Sequence, residues 1–207
     1  MQQQTVGILL FNEVEVLDFA GPFEVFSLAS DLVTEEKFFH VVTIAEKGEA
    51  LQARNGLQVL PDYQFDNHPK LDVLIVPGGY GAEEIEIHNP NVIEWILKQK
   101  SEVDIVASVC TGALLLAKAG MLDGKKATTH WLDLDRLANE FPKVDVQRGV
   151  KFVDEGALVT SGGISAGINM SFHLLVRLCG KAVAEHTAKR MEYDIPFMED
   201  KDSRRDQ

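Results

Sequence analysis

Along this chain, short apolar runs that close on turn residues alternate with segments whose apolar positions recur at helical spacing. That alternation predicts an α/β fold, with parallel strands joined by crossover helices. Residues 6–11 read as a first buried strand, and 19–29 follow as a helix with Phe23, Phe26 and Leu28 available for burial. Asp18 falls in the connection. Residues 39–45 give a second strand, and 73–76 a third that is apolar throughout, as central parallel strands are. Pro77-Gly78-Gly79 closes it with a sharp exit turn. Residues 91–100 predict an amphipathic helix carrying Val92, Ile93, Trp95, Ile96 and Leu97, and 104–109 another buried strand that ends at Cys110. The Ala- and Leu-rich helix 111–119 stops at Gly120, a residue suited to the left-handed cap, so Cys110 lies at a strand-to-helix turn. Beyond it come a strand at 126–129, a helix at 132–140 stopped by Pro142, and strand-like stretches at 144–148 and 157–161. Gly162-Gly163 breaks the last of these, and helices at 166–178 and 182–191 complete a single domain over 1–198, with a charged tail at 199–207.

Composition narrows the partners. The 207 residues, 45% hydrophobic and 25% charged, suffice for one α/β domain with a sizeable core. A formal charge of −12, from 32 acidic and 20 basic residues, repels phosphate backbones and anionic head groups. The densest basic clusters, Lys125-Lys126 and Arg204-Arg205, are short and lack stacking aromatics. The expected partner is therefore a small molecule, not nucleic acid or membrane. The first five residues have no basic n-region, and 6–11 is too short for a signal core or a membrane span, which points to the cytoplasm. Cys110 and Cys179 make no disulfide framework, and both are expected to be free in a reducing compartment.

Ligands of open α/β sheets bind at the carboxyl ends of the strands, where Cys110, Asp18 and Gly78-Gly79 all fall. A thiol at a helix start meets the positive end of the helix dipole and unpaired N–H groups, so its pKa is expected to drop. The local pattern fits equally a buried cysteine that merely ends an apolar strand. Cys179, in helical phase with Ile168, Phe172 and Leu175, reads as structural. Asp18 stands between Leu17 and Phe19, a setting that raises a carboxyl pKa and lets it hold a proton, though an Asp there also suits a helix N-cap. Glu24, further along the same helix, is a secondary candidate.

Residues 163–167 fit the G-x-S-x-G pattern of serine hydrolases. Only His173 and His186 follow Ser165, and the sole acid between Ser165 and His186 is Glu185, so the serine, acid, histidine order cannot be assembled and Ser165 reads as a helix N-cap. The six histidines, His40, His68, His88, His130, His173 and His186, show no pairing at ligand spacing, so no metal is expected. His130 reads first as a hydrogen-bonded structural histidine, with a place facing the Cys110 pocket as the alternative. Pro77-Gly78-Gly79-Tyr80 has neither a dinucleotide fingerprint nor a Walker pattern, so no nucleotide cofactor is expected. Its N–H groups suit developing negative charge. Gly78, Gly79, Tyr80 and His130 are the candidate substrate-binding residues.

Leu17-Asp18-Phe19-Ala20-Gly21-Pro22, Val76-Pro77-Gly78-Gly79, Val109-Cys110-Thr111-Gly112-Ala113, Ala127-Thr128-Thr129-His130-Trp131 and residues 162–167 together resemble the ThiJ/PfpI superfamily in order and spacing, over roughly residues 5–190. The resemblance implies a flavodoxin-like sandwich with a cysteine at a nucleophile elbow, and the L-D-x-x-G-P and C-T-G-A motifs are most similar to the isonitrile hydratase group. It implies a cofactor-free homodimer in which Cys110 attacks, Asp18 hydrogen-bonds the thiol and handles protons, Thr111 shapes the turn and Gly79 lines the pocket with its N–H. The implied reaction converts an isonitrile to an N-substituted formamide through a thioimidate. The superfamily also holds glyoxalases, amidase- or protease-like enzymes, chaperone-like proteins and regulator sensor domains. Proteolytic relatives carry His where Thr111 stands, and a regulator would need a DNA-binding domain after this one. A glyoxalase acting on 2-oxoaldehydes and a free-standing redox or ligand sensor stay as alternatives. Asn169 stands where many relatives have Asp, which removes any role needing a charge there.

Overall fold

The computed structural model describes residues 3–195. The tail expected at 199–207 and the domain limit expected at 198 lie outside them. Strand β1 (Gln4–Leu9) leads into helix α1 (Val16–Leu28), and β2 (Phe39–Ala45) follows. A small hairpin of β3 (Leu51–Gln52) and β4 (Gln58–Val59) precedes the short β5 (Tyr63–Gln64) and the apolar β6 (Val73–Val76). Then come α2 (Pro90–Gln99), β7 (Ile105–Ser108), α3 (Gly112–Lys118), β8 (Lys126–Ala127), α4 (Leu134–Glu140) and β9 (Asp145–Val146). Strands β10 (Phe152–Asp154) and β11 (Leu158–Ser161) and helices α5 (Ser165–Cys179) and α6 (Lys181–Arg190) end the described chain.

Seven of these strands form one sheet in the order β10-β11-β7-β6-β1-β2-β5. Every pairing in it is parallel except β10 with β11. Strands β6, β7 and β11 are buried along their whole length, so β6 is apolar throughout and β7 and β11 carry only the small hydroxyl residues Ser108, Thr160 and Ser161 at their carboxyl ends. Chain order reverses at β1, with β2 on one side and β6 on the other. The carboxyl ends of β1, β6, β7 and β11 therefore open onto one edge, the crevice where such sheets hold ligands. Helix α1 lies against the sheet and α5, with Phe26 fully buried and its ring edge-to-face on Phe39 at 5.1 Å. Burying a ring of this size contributes about 1.5–3 kcal/mol. Among the described residues no helix is long and apolar enough to cross a membrane.

Several expected boundaries move. The first strand ends at Leu9, and Leu10 and Phe11 are buried beyond it. Helix α1 begins at Val16, so Asp18 enters its first turn and is not in a connecting loop. The N-cap position falls to Glu15, whose side chain makes no capping bond. The strand expected at 126–129 stops at Ala127 and pairs with β9 in a separate two-stranded sheet. It stops because Thr128 and Thr129 bond elsewhere: the Thr128 N–H donates to Thr160 Oγ1, and the Thr129 hydroxyl to the Cys110 carbonyl. The stretch expected at 144–148 shrinks to β9. The helix expected at 132–140 opens as a 3-10 turn, Trp131–Asp133, before α4. Ser165 is the first residue of α5, not its N-cap. Ile164 holds that position at φ 55°.

Candidate functional site

Asp18 is fully buried in the first turn of α1, and both of its carboxylate oxygens are held by backbone. The Gly78 N–H, leaving β6, donates to Oδ2 at 3.1 Å, and the Ile164 N–H, leaving β11, donates to Oδ1 at 3.0 Å. The Cys110 thiol, leaving β7, is the side chain whose titration this carboxylate couples to. Pro22 has no N–H, so the Asp18 carbonyl lacks its usual helical partner four residues on. Burial drives the Asp18 pKa up from 3.8 to about 7, and the charge of Glu15 adds to the rise. The Gly78 bond, the Cys110 thiol and the Ile164 bond oppose it.

Cys110 turns the chain from β7 into α3 at φ 56°, a left-handed conformation that costs a β-carbon-bearing residue about 1–2 kcal/mol. Its N–H donates to the Gly162 carbonyl at 3.1 Å, and its carbonyl accepts from Thr129 Oγ1 at 2.8 Å. These two bonds fix the elbow between β11 and the segment after β8. Two glycines let the β6 and β7 exits approach this closely: a β-carbon on Gly112 would collide with the Val76 carbonyl oxygen, and one on Gly78 would lie 2.5 Å from Thr111 N and Oγ1.

The thiol does not behave as its position at a helix start suggests. Burial pushes the Cys110 pKa well above the usual thiol range, and the Asp18 charge pushes it further. Only the Thr111 N–H and hydroxyl pull the other way. Helix α3 has seven residues and a correspondingly small dipole. The resting pair is thus a neutral thiol beside a carboxyl group that gains its proton near neutrality. Such a pair can deliver a sulfur nucleophile by passing the S–H proton to Asp18 during attack, without a standing thiolate.

The other candidates divide. Thr111 is buried beside Cys110, and its hydroxyl accepts the Gly79 N–H at 2.9 Å. That N–H is therefore engaged within the protein, and the Gly78 N–H serves the Asp18 charge. Tyr80 is exposed directly after this turn. His130 is half-buried, with Nδ1 3.5 Å from Asp133 Oδ2 and its ring filling the space a side chain on Gly163 would need. It stands against the β11 exit, and no bond ties it to the thiol. Glu24 faces solvent. Cys179 is free and half-buried at the end of α5, with its pKa pushed up by burial to about 11. Asn169 is buried, its Oδ1 accepting from Lys151 Nζ at 3.4 Å and its Nδ2 without a partner. Among the described residues no group of three or more His, Cys, Asp or Glu is placed to hold a metal ion. Ile164 and Thr129 are functional contacts that the sequence did not single out. The Gly-Gly break before Ile164 was the available signal for the first, and the threonine pair before His130 for the second.

A flavodoxin-like sheet with a cysteine elbow set against a buried acid defines a class, and the chain belongs to the DJ-1/PfpI family, whose model matches residues 4–177. Within it, the chain is 35% identical over 190 residues to isonitrile hydratase of Pseudomonas putida, covering 91% of this chain and 78% of that protein. It is 29% identical over 192 residues to the HTH-type transcriptional regulator GbdR of Pseudomonas aeruginosa, covering 92% of this chain and 51% of the regulator, about half its length. Among solved structures, a ThiJ/PfpI family protein from Pseudomonas syringae superposes with a TM-score of 0.83 at 26% identity, covering 94% of this chain and 76% of that one.

Proposed function

We propose that this protein hydrates isonitriles to N-substituted formamides, with Cys110 as nucleophile and Asp18 as proton carrier. One observation carries the reading: a fully buried carboxylate, each of whose oxygens is held by a backbone N–H, stands close enough to the Cys110 thiol that each shifts the other's titration. Similarity to the Pseudomonas putida enzyme along 91% of the chain supports the substrate class.

With Asp18 ionised, the S–H proton moves to the carboxylate as sulfur bonds the terminal carbon of R–N≡C. Asp18 then gives that proton to the same carbon, leaving the thioimidate R–N=CH–S–Cys110. Water adds its oxygen to this carbon, one of its protons passing through Asp18 to nitrogen. The C–S bond breaks as the second proton returns to sulfur, and R–NH–CHO departs. One isonitrile and one water give one formamide. A carboxyl group with a pKa of about 7 can take and give a proton at neutral pH with little bias either way, which suits both halves of the cycle.

The test is a mass-detected formamide assay on a panel of isonitriles, with methylglyoxal and lactate detection run alongside. Wild-type protein should form formamide, Cys110→Ala should form none, and Asp18→Asn should slow turnover by about 100-fold or more. Formamide production surviving in Cys110→Ala would end the proposal, and lactate without formamide would replace it with glyoxalase chemistry. If neither substrate turned over while Cys110 gained oxygen at low peroxide, a redox sensor would take its place.

A further inference from the structure

The hairpin of β3 and β4 turns through Arg54–Gly56, and Asn55 at its tip has φ 63° and ψ 16°. That left-handed conformation suits glycine, and an asparagine tolerates it but gains by leaving it. Asn55 and Gly56 are exposed, and among the described residues the Asn55 amide makes no hydrogen bond. A β-carbon on Gly56 would meet nothing nearer than Gln52 Nε2 at 3.7 Å, so little crowds the backbone there. Asn55 is also the only asparagine of the chain that precedes a glycine; the others precede Glu13, His68, Pro90, Val92, Glu140 and Met170.

The tip is closed by the Gly56 N–H donating to the Ala53 carbonyl at 3.0 Å. The flanks of the hairpin hold the segment that leads into α1. The Arg54 N–H donates to the Val14 carbonyl at 2.9 Å, the Glu13 N–H to the Gln52 carbonyl at 2.8 Å, and Arg54 Nε lies 3.7 Å from Glu15 Oε2. The Glu15 N–H in turn donates to the Gly78 carbonyl at 2.9 Å, and the Gly78 N–H holds Asp18. A change of backbone length at residue 55 therefore falls next to an anchor of the chain that carries the buried acid.

We infer that Asn55 is a modification site that converts spontaneously to isoaspartate and aspartate, and that the product loosens the hold of Arg54 on the segment before α1. The inference is independent of the hydration reading. Ring closure needs a ψ other than the 16° of the folded tip, so the tip opens first, which breaks the Gly56 bond to Ala53 and relieves the left-handed strain. The Gly56 nitrogen, its proton lost to solvent base, then bonds the side-chain carbonyl carbon of Asn55, and the amide nitrogen leaves as ammonia. Glycine, without a β-carbon, hinders this approach least. Water opens the resulting succinimide at either carbonyl. Opening at the side-chain carbonyl gives aspartate, and opening at the main-chain carbonyl gives isoaspartate. One ammonia leaves and one water enters, with no change of oxidation state. Isoaspartate adds a methylene to the backbone between Arg54 and Gly56, and either product sets a carboxylate beside Arg54 in competition with Glu15.

The test incubates the full chain in warm, mildly alkaline buffer and follows the tryptic fragment that begins after Arg54 by mass, with fragment spectra to separate isoaspartate from aspartate and Asn55 from Asn67. Residue 55 should gain about 1 Da, with isoaspartate the larger product, while the other asparagines stay unchanged. Asn55→Gly, which suits the left-handed tip and has no amide, should gain nothing. Hydrogen exchange at the Arg54 amide, which Val14 protects, should become about tenfold faster in the aged wild-type protein and stay unchanged in aged Asn55→Gly. An intact Asn55 in the folded chain, after the same residue has converted in urea, would overturn the inference, as would conversion of the other asparagines first. Conversion that leaves Arg54 exchange unmoved would overturn the loosening. Conversion that begins only on dilution would show the tip covered by a second copy of the chain and overturn its accessibility. None of these outcomes bears on isonitrile turnover.

Discussion

Asp18→Asn keeps the size of a buried side chain and removes its titration, so the pH dependence of stability isolates the carboxyl group. Burial holds the native pKa at about 7 against 3.8 for the free group. Between those values the unfolded chain has lost the proton and the native chain has kept it, so native stability falls as pH rises. The contribution is therefore fully present below pH 3.8 and is lost as pH rises through about 7. At about 1.4 kcal/mol per pH unit, the rise corresponds to about 4 kcal/mol. The Asn amide will set an N–H₂ against the Gly78 or Ile164 N–H, an offset of about 1–3 kcal/mol that does not vary with pH. Cys110 stays protonated throughout this range, so it adds no slope. Urea denaturation of both proteins at pH 4, 5, 6, 7 and 8, at one ionic strength, gives the comparison. The stability of wild-type relative to Asp18→Asn should drop by about 4 kcal/mol from the acid end to neutrality and then level off. Parallel profiles would refute a protonated Asp18 below neutrality, whatever the offset between them.

Three further outcomes follow from the same geometry. For isonitrile hydration, kcat/KM should climb as pH rises through about 7, where Asp18 becomes able to accept the thiol proton. It should stay high into the alkaline range, and a fall between pH 7 and 9 would contradict the high thiol pKa. Thr111→Val leaves the Gly79 N–H buried without an acceptor and should cost about 1–3 kcal/mol in urea denaturation, with Thr111→Ser recovering most of it. Ser108→Ala removes a buried hydroxyl that has no partner and should raise stability by about 1 kcal/mol, read as a higher urea midpoint at unchanged m-value.

Where the pattern of residues speaks for a single element, sequence and structure agree. Phe39–Ala45 and Val73–Val76 carry the expected bounds because each is an apolar run closed by a clear punctuation. They part where distant groups compete for the same backbone. Thr128 and Thr129 have the β-branched character of strand residues, yet their hydrogen bonds go to Thr160 and Cys110, segments no local window contains. The α1 start was hidden because Glu15 makes no side-chain cap and Asp18 resembles one. Edge strands β5 and β10 are short and hold polar residues that the sheet core does not demand. At the site, Cys110 and the glycine turn were legible as convergent strand ends, whereas Asp18 reaches them from the first turn of α1. The direction of the thiol pKa was not. Helix-start reasoning counts local dipoles, and the dominant causes are burial and the charge of a residue brought in from α1. For Ile164 the only signal was the Gly-Gly break before it, since nothing in an isoleucine announces a φ of 55°.

The two oxygens of Asp18 tie residues separated by 60 and 146 positions along the chain. A ribosome that has emitted β1, β6 and β7 has made Cys110 and Gly78 but not Ile164, and the acid can have only one of its two holds. The site's assembly is therefore timed to the completion of β11. A chain cut short before residue 164 never closes the second hold on Asp18.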